Sequence, residues 1–187
     1  MPNWCYNEIT FNPADVAKVK ALVSPDPNIE AFDLNRILPM PETLAISCGS
    51  STQDAEEFLT TGKYDADRYP DEGEEPDPGI FVGRKELIEP HTLPELRAFA
   101  KLIQKNKRDY GAAGWYEWRC KYWGTKWNTD DVKWDKCRVF FDTAWAPPIH
   151  ALEELSKKLG ITFTVSAEEP DTMRYLKAKI SNGKVLA

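Results

Sequence analysis

Strand-helix-strand patterns at both ends of the 187-residue chain, a long helical interruption between them, and an Asn-Gly turn near the C-terminus predict an α+β fold. In the order βαβ and then βαβ, these patterns describe a ferredoxin-like βαββαβ sandwich. Residues 1–44 and 136–187 supply its halves, residues 45–135 form a large, mainly helical, Trp-rich insertion, and a β-hairpin closes the chain. Residues 1–187 read as one domain, long enough to bury a core without help from disulfides or metals.

The first strand is read from NWCYNEITF (3–11), rich in aromatic and β-prone residues and stopped by Asn12-Pro13. Pro13 suits the first turn of a helix, and Val16, Val19, Leu22 and Val23 recur at helical spacing behind it. SPDPN is a loop. In AFDLNRILPMPETL, Phe32, Leu34, Ile37 and Leu38 are half-buried positions, taken as the second strand of the front half; Pro39 and Pro41 forbid a central strand or a helix interior. The insertion opens with a helix around 52–59. It resumes after Leu93-Pro94 with a helix carrying Leu96, Phe99, Ala100 and Ile103 on one side.

At the far end, KCRVFFDTAW (136–145) is a strong strand closed by Ala146-Pro147-Pro148. PPIHALEELSKKLG is a proline-started helix with Ile149, Leu152, Leu155 and Leu159 as its stripe and Gly160 beyond its end. ITFTVSAEE alternates Ile161, Phe163 and Val165 against Thr162, Thr164 and Ser166, a half-buried strand. Asn182-Gly183 then turns a hairpin in RYLKAKISNGKVLA.

Net charge is −6, against a generally basic nucleic-acid binder. Residues 61–79 hold seven acids, two bases, three prolines and three glycines, so they read as a solvated, disordered-like acidic loop. That loop's net −5 leaves the body of the chain close to neutral. Calcium is not expected there, since Tyr69 and Pro70 follow Asp65 and Asp67 where an EF-hand needs an oxygen ligand and a glycine. Cys5, Cys48, Cys120 and Cys137 form no CxxC pair and fit no zinc or iron-sulfur spacing, so no metal or other cofactor is expected. The N-terminal residues show no signal-peptide pattern and no stretch approaches 18 apolar residues; the expected location is the cytoplasm, with reduced thiols.

Residues 114–128, GWYEWRCKYWGTKWN, hold four of the seven tryptophans. On a helical wheel Trp115, Trp118, Tyr122, Arg119, Trp123, Tyr116 and Cys120 span more than half the circumference, with Glu117 and Lys121 opposite. Gly124 ends that helix. So wide an arc suits a helix wedged between two surfaces. On the first strand Cys5, Ile9 and Phe11 share one side and Trp4, Tyr6 and Glu8 the other; on the strand at 136–145, Val139, Phe141 and Thr143 alternate with Phe140 and Asp142. Aromatics thus fall on both sheet faces, and the inserted helices are expected to cover part of the second. Trp115, Trp118 and Trp123 are expected in the core, while Lys126, Trp127 and Asn128, past the glycine, are expected at a functional surface.

Four blocks in order, MPNWCYN, FDLNRILPMP, WYEWRCKYWGTKWN and FDTAWAPP, resemble the YubB-type ferredoxin-like family of small, uncharacterised proteins carried by bacteriophages and conjugative plasmids. The resemblance runs from Met1 into the 160s. It implies fold topology and no iron-sulfur cluster, and it carries over no catalytic residue. It also implies an accessory role on a mobile genetic element, such as binding a host or defence protein.

The functional expectation is therefore a non-enzymatic binding protein of a phage or plasmid, using Trp4, Tyr6, Arg119, Trp123, Lys126, Trp127 and Asn128. An alternative is an RNA- or single-stranded-nucleic-acid-binding module, since residues 101–138 hold ten Lys or Arg against five acids. The strand KCRVFFDTAW, however, lacks the glycines of the RNA-recognition signature. A third reading is an enzyme with an unrecognised active site. No GxSxG, P-loop, HExxH, GxGxxG or zinc-deaminase pattern occurs, and neither His91 nor His150 falls in a dyad setting. No membrane partner is expected.

Overall fold

The computed structural model describes residues 3–26, 28–46, 49–73, 89–170 and 174–186. They group into two compact units, Met1–Pro39 with Arg119–Ala187, and Met40–Trp118. Among the described residues no helix is long and apolar enough to cross a membrane.

The first unit is an α+β ferredoxin-like sandwich. Its strands are β1 (Trp4–Phe11), β2 (Asp130–Asp135), β3 (Arg138–Ala144), β4 (Thr162–Glu169), β5 (Arg174–Ser181) and β6 (Lys184–Leu186). They form one sheet in the order β2-β3-β1-β4-β5-β6, antiparallel throughout. The arrangement β2-β3-β1-β4 is the split βαβ order, and the β5–β6 hairpin extends it beyond β4. Asn182 (φ 50°) and Gly183 (φ 74°) turn that hairpin, both in the left-handed region that a two-residue Asn-Gly turn requires.

Three helices cover one sheet face: α1 (Val16–Val23), α2 (Leu34–Ile37) and α6 (Ile149–Leu159). Asn12 Oδ1 accepts from the Ala14 N–H at 3.0 Å at the entrance of the first, and Gly160 (φ 62°) ends the last. Beneath them Cys5, Asn7, Ile9 and Phe11 of β1 are buried with Val139, Phe141, Phe163, Val165 and Ile180. Phe32 stacks on Phe141 at 4.9 Å and Phe11 meets Phe163 at 5.1 Å.

The second strand of the sandwich is not at 32–38. Asp33 accepts from the Asn35 N–H at 2.8 Å and starts the short helix α2 there, and the strand is β2, after the long insertion. β2 is an edge strand, DDVKWD, with only Val132 and Trp134 half-buried and an irregularity in register between Asp130 and Lys133. Charge and bulging protect an edge from wrong pairing, and they also erase the apolar alternation that announces a strand. Residues 119–135 therefore fold with the sandwich.

On the other sheet face, Trp4 at one end is half-buried against Trp127, while the part around Tyr6 and Tyr175 stands open. Tyr6 is 51% and Tyr175 66% exposed. The register explains why: Tyr6 pairs with Asp142 and Glu168, Glu8 with Phe140 and Ser166, and Thr10 with Thr164. Carboxylates and hydroxyls among the rings keep the face hydrated, so it does not demand burial.

The second unit packs α3 (Ser50–Thr61) against α4 (Leu93–Tyr110). Thr92 caps α4, accepting from the Glu95 N–H at 3.3 Å, while Glu95 reaches back to the His91 N–H at 2.8 Å. Ile46, Ala55, Leu93, Leu96, Phe99 and Ile103 form its core. Residues 62–73 of the acidic stretch are anchored to that core rather than merely solvated. Tyr69 is fully buried and its hydroxyl donates to Asp54 at 2.7 Å, and Arg68 pairs with the same carboxylate at 2.8 Å. One aromatic ring outweighs the charge around it, because the carboxylates remain in water while the ring is buried. Residues 74–79 of that stretch lie outside the described residues, as does Cys48.

Candidate functional site

The seven residues singled out by the sequence do not converge on one cleft. α5 (Trp115–Tyr122) is the helix expected, with Trp118 buried and Trp115 only half-buried, so Trp115 is not core. Glu117 reaches back to the Ala113 N–H at 2.7 Å and fixes its start.

Trp123 is 1% exposed. Its indole N–H donates to the Leu38 carbonyl at 2.9 Å, and the Arg119 guanidinium lies 4.8 Å from its ring centroid. It is a structural pin of the sandwich, closed to a partner. Gly124 follows in the left-handed region (φ 88°), where an added Cβ would come within 3.4 Å of the Pro147 carbonyl and the Ile149 N–H.

Asn128 is also structural. Its Oδ1 accepts from the Leu34 N–H at 2.9 Å and the Thr129 N–H at 3.0 Å, and its amide donates to Asp33 at 2.7 Å. The side chain is spent on tying the exit of the Trp-rich stretch to the start of α2. Polarity past a glycine suggested a surface, but a half-buried backbone N–H needing an acceptor has the same sequence signature.

Lys126, Trp127 and Trp4 form a small cluster. Trp4 and Trp127 lie 6.1 Å apart by centroid, and the Lys126 ammonium stands 4.9 Å from both the Trp127 and Trp145 rings. All three predicted members are half-buried, while Trp145 is more exposed and held at φ 72°, rare for so bulky a residue.

Tyr6 alone of the predicted residues stands fully on a surface, and the fold gives it neighbours that sequence reasoning left out of the site. Asp142 of β3 and Glu168 of β4 flank it by register, Phe140 and Glu8 lie one step along, and Tyr175 of β5 pairs with Glu168. Tyr6, Glu8, Phe140, Ser166, Glu168 and Tyr175 line a shallow depression of about 260 Å³. Burial, together with Asp131 and Asp130 nearby, pushes the Asp142 carboxyl above its ordinary range, only partly offset by Lys133. The alternation of Phe140 and Asp142 with Val139 and Phe141 carried this signal; Tyr175 had none beyond its place before the hairpin.

Cys5 faces the helices. Burial, with a contribution from Glu169, pushes its thiol up to about 11, so it is a poor nucleophile. Burial and the bond to Asp54 push Tyr69 to about 12. In the unfolded chain these groups ionise near 9.0 and 10.0, so unfolding releases protons in alkali. Stability is intact below pH 9 and falls as pH rises through the window from 9 to 12. The check is the urea midpoint measured from pH 7 to 11: it should drop above pH 9, and Cys5→Ala should flatten the first part of the drop in the sandwich unit.

Residues 122–187 match the family described as the ferredoxin-like domain in Api92-like proteins. Across the whole chain the structure is similar to the crystal structure of a protein api92 from Yersinia pseudotuberculosis, at 13% identity and a TM-score of 0.49, covering 100% of this chain and 96% of that one. No curated protein matches the sequence. The C-terminal 66 residues, from the end of α5 through the hairpin, thus carry the recognisable ferredoxin-like signature of this chain.

Proposed function

We propose that this chain is a non-enzymatic binding protein whose open sheet face, centred on Tyr6, engages a basic segment of a partner protein. The observation that carries the reading is Tyr6, half exposed with a carboxylate on each side of it. A guanidinium laid on the tyrosine ring would gain the ring's quadrupole and reach Asp142 or Glu168 for a paired hydrogen bond. Phe140 and Tyr175 extend the apolar contact, the composition of an interface hot spot. Base stacking on the same strands is the competing use, but a base stacked on Tyr6 would bring its phosphates next to Asp142 and Glu168. The row of residues through Tyr6 is acidic, with Lys133 and Lys177 in the next row and Arg138 and Lys179 in the one after, and that acidic row favours the protein partner.

The phage and plasmid setting rests on the four-block resemblance to YubB-type proteins, and it supports a host or defence protein as that partner, met in the bacterial cytoplasm. The test is capture from a bacterial lysate, with and without nuclease, using the wild-type chain, Tyr6→Ala and Glu168→Lys. Both variants are expected to keep their unfolding midpoints, since exposed substitutions change stability by only about 0.5 kcal/mol. A nuclease-resistant protein retained by the wild type and weakened at least about 30-fold in both variants is the expected result. Nuclease-sensitive recovery would transfer the face to the nucleic-acid reading, and retention by both variants would overturn Tyr6 as its centre.

A further inference from the structure

A cleft on the opposite side of the sandwich from Tyr6 has a different chemistry. It has a volume of about 560 Å³, within the range of small-molecule sites, and lies between α1, the loop after it and the edge strand β2. Ala17, Ala21, Pro25 and Ile29 give it apolar walls, and Ile29 is 54% exposed there.

Trp134 closes one side and is held firmly. Its ring stacks on Phe11 at 6.1 Å and meets Phe32 at 6.3 Å, and its indole N–H donates to the Ala31 carbonyl at 3.3 Å. Two cations share the space. The Lys20 ammonium stands 4.7 Å from the Trp134 ring centroid, and Arg36 is fixed by its Nε donating to the Leu22 carbonyl at 2.7 Å. Neither forms an ion pair among the described residues. The Asp26 carboxylate accepts from the Asn28 N–H at 2.8 Å and from its amide at 3.0 Å, within the loop. Glu30 also lines the cleft and brings its net charge to +1.

We infer that this cleft is a binding site for a small organic acid, a single carboxylate carried on an apolar or aromatic body. Lys20 and the free edge of the Arg36 guanidinium take the carboxylate, and the body lies along Trp134, Ala17 and Ala21. Two cations lining one cleft, one of them over a rigid indole wall, favour an anion with an apolar side over a bare ion. Glu30 disfavours a second negative charge on the ligand. The site is separate from the open face and stands independently of any partner there.

The test is an amide chemical-shift titration of the full chain with benzoate, benzyl alcohol and inorganic phosphate. Benzoate is expected to move Ala17, Ala21, Ile29 and the Trp134 indole N–H saturably, with benzyl alcohol and phosphate each weaker by about ten-fold or more. Lys20→Gln and Arg36→Gln, both exposed and expected to fold normally, should each weaken benzoate by about ten-fold. Tyr6→Ala should leave it unchanged. Equal binding of the alcohol or of phosphate, unchanged affinity in both charge variants, or no saturable shift at these residues would overturn the assignment.

Discussion

Trp123→Ala is expected to destabilise the sandwich unit by about 3–5 kcal/mol, the cost of removing a large, fully buried aromatic from a packed site. Trp123 is 1% exposed, so little of its apolar area is recovered by water in the folded variant. The substitution also strips the Leu38 carbonyl of the indole donor at 2.9 Å. A domain is stable by only about 5–15 kcal/mol, so the variant should stand close to unfolding at 25 °C. Urea denaturation followed by far-ultraviolet circular dichroism reads the difference. Trp123→Phe separates the contributions: most of the apolar contact returns, the orphaned carbonyl stays, and a loss of about 1–2 kcal/mol is expected. A loss below about 1 kcal/mol for the alanine variant would mean that Trp123 does not pin the fold.

Asn128→Ala is the second large effect, about 2–3 kcal/mol from three hydrogen bonds lost at once. The costly one is the Leu34 N–H, which belongs to the first turn of α2 and has no carbonyl of its own helix to reach. Leu34 itself is fully buried, so a fraying α2 would draw a core side chain with it. Asn128→Asp gives a sharper reading. It keeps the acceptor for Leu34 but sets a second carboxylate 2.7 Å from Asp33, where the amide now donates. That variant should be at least as unstable as the alanine at pH 7 and recover on acidification, as one of the two carboxyls takes a proton. Loss of stability at constant affinity of the open face would mark Asn128 as a structural residue.

Much of the fold was readable because local rules and burial agree in it. β1, β3 and β4 alternate buried and exposed residues, and α6 is bounded by Pro147-Pro148 and Gly160. β2 was hidden because its sequence answers to its place at the sheet edge, where charge has a protective use. Tyr69 was hidden because composition averages over a window, and one ring in an acidic stretch disappears in the average. The candidate site divided for a related reason. A tryptophan or an asparagine looks the same in sequence whether its polar atom meets a partner molecule or a backbone group of its own chain. Only pairing across β3, β1, β4 and β5 brings Tyr6, Asp142, Glu168 and Tyr175 together.

The insertion between α2 and α5 sets a timetable for synthesis. The Asn7 amide must find the Phe141 carbonyl 134 residues later, and β4 is later still. The Met40–Trp118 unit is complete in sequence well before either partner of β1 exists. At about 5–20 residues per second, β1 waits for roughly 7–27 s with its backbone groups unpaired. Leu38 and Trp123 are joined by a 2.9 Å hydrogen bond, so the chain leaves the sandwich and returns to it at neighbouring points. A short linker in place of residues 40–118 would therefore cut the loop that β1 must close and should speed refolding of the sandwich from denaturant. The helical unit acts as a delay in the chain, and slow maturation of the sheet is the kinetic signature it should leave.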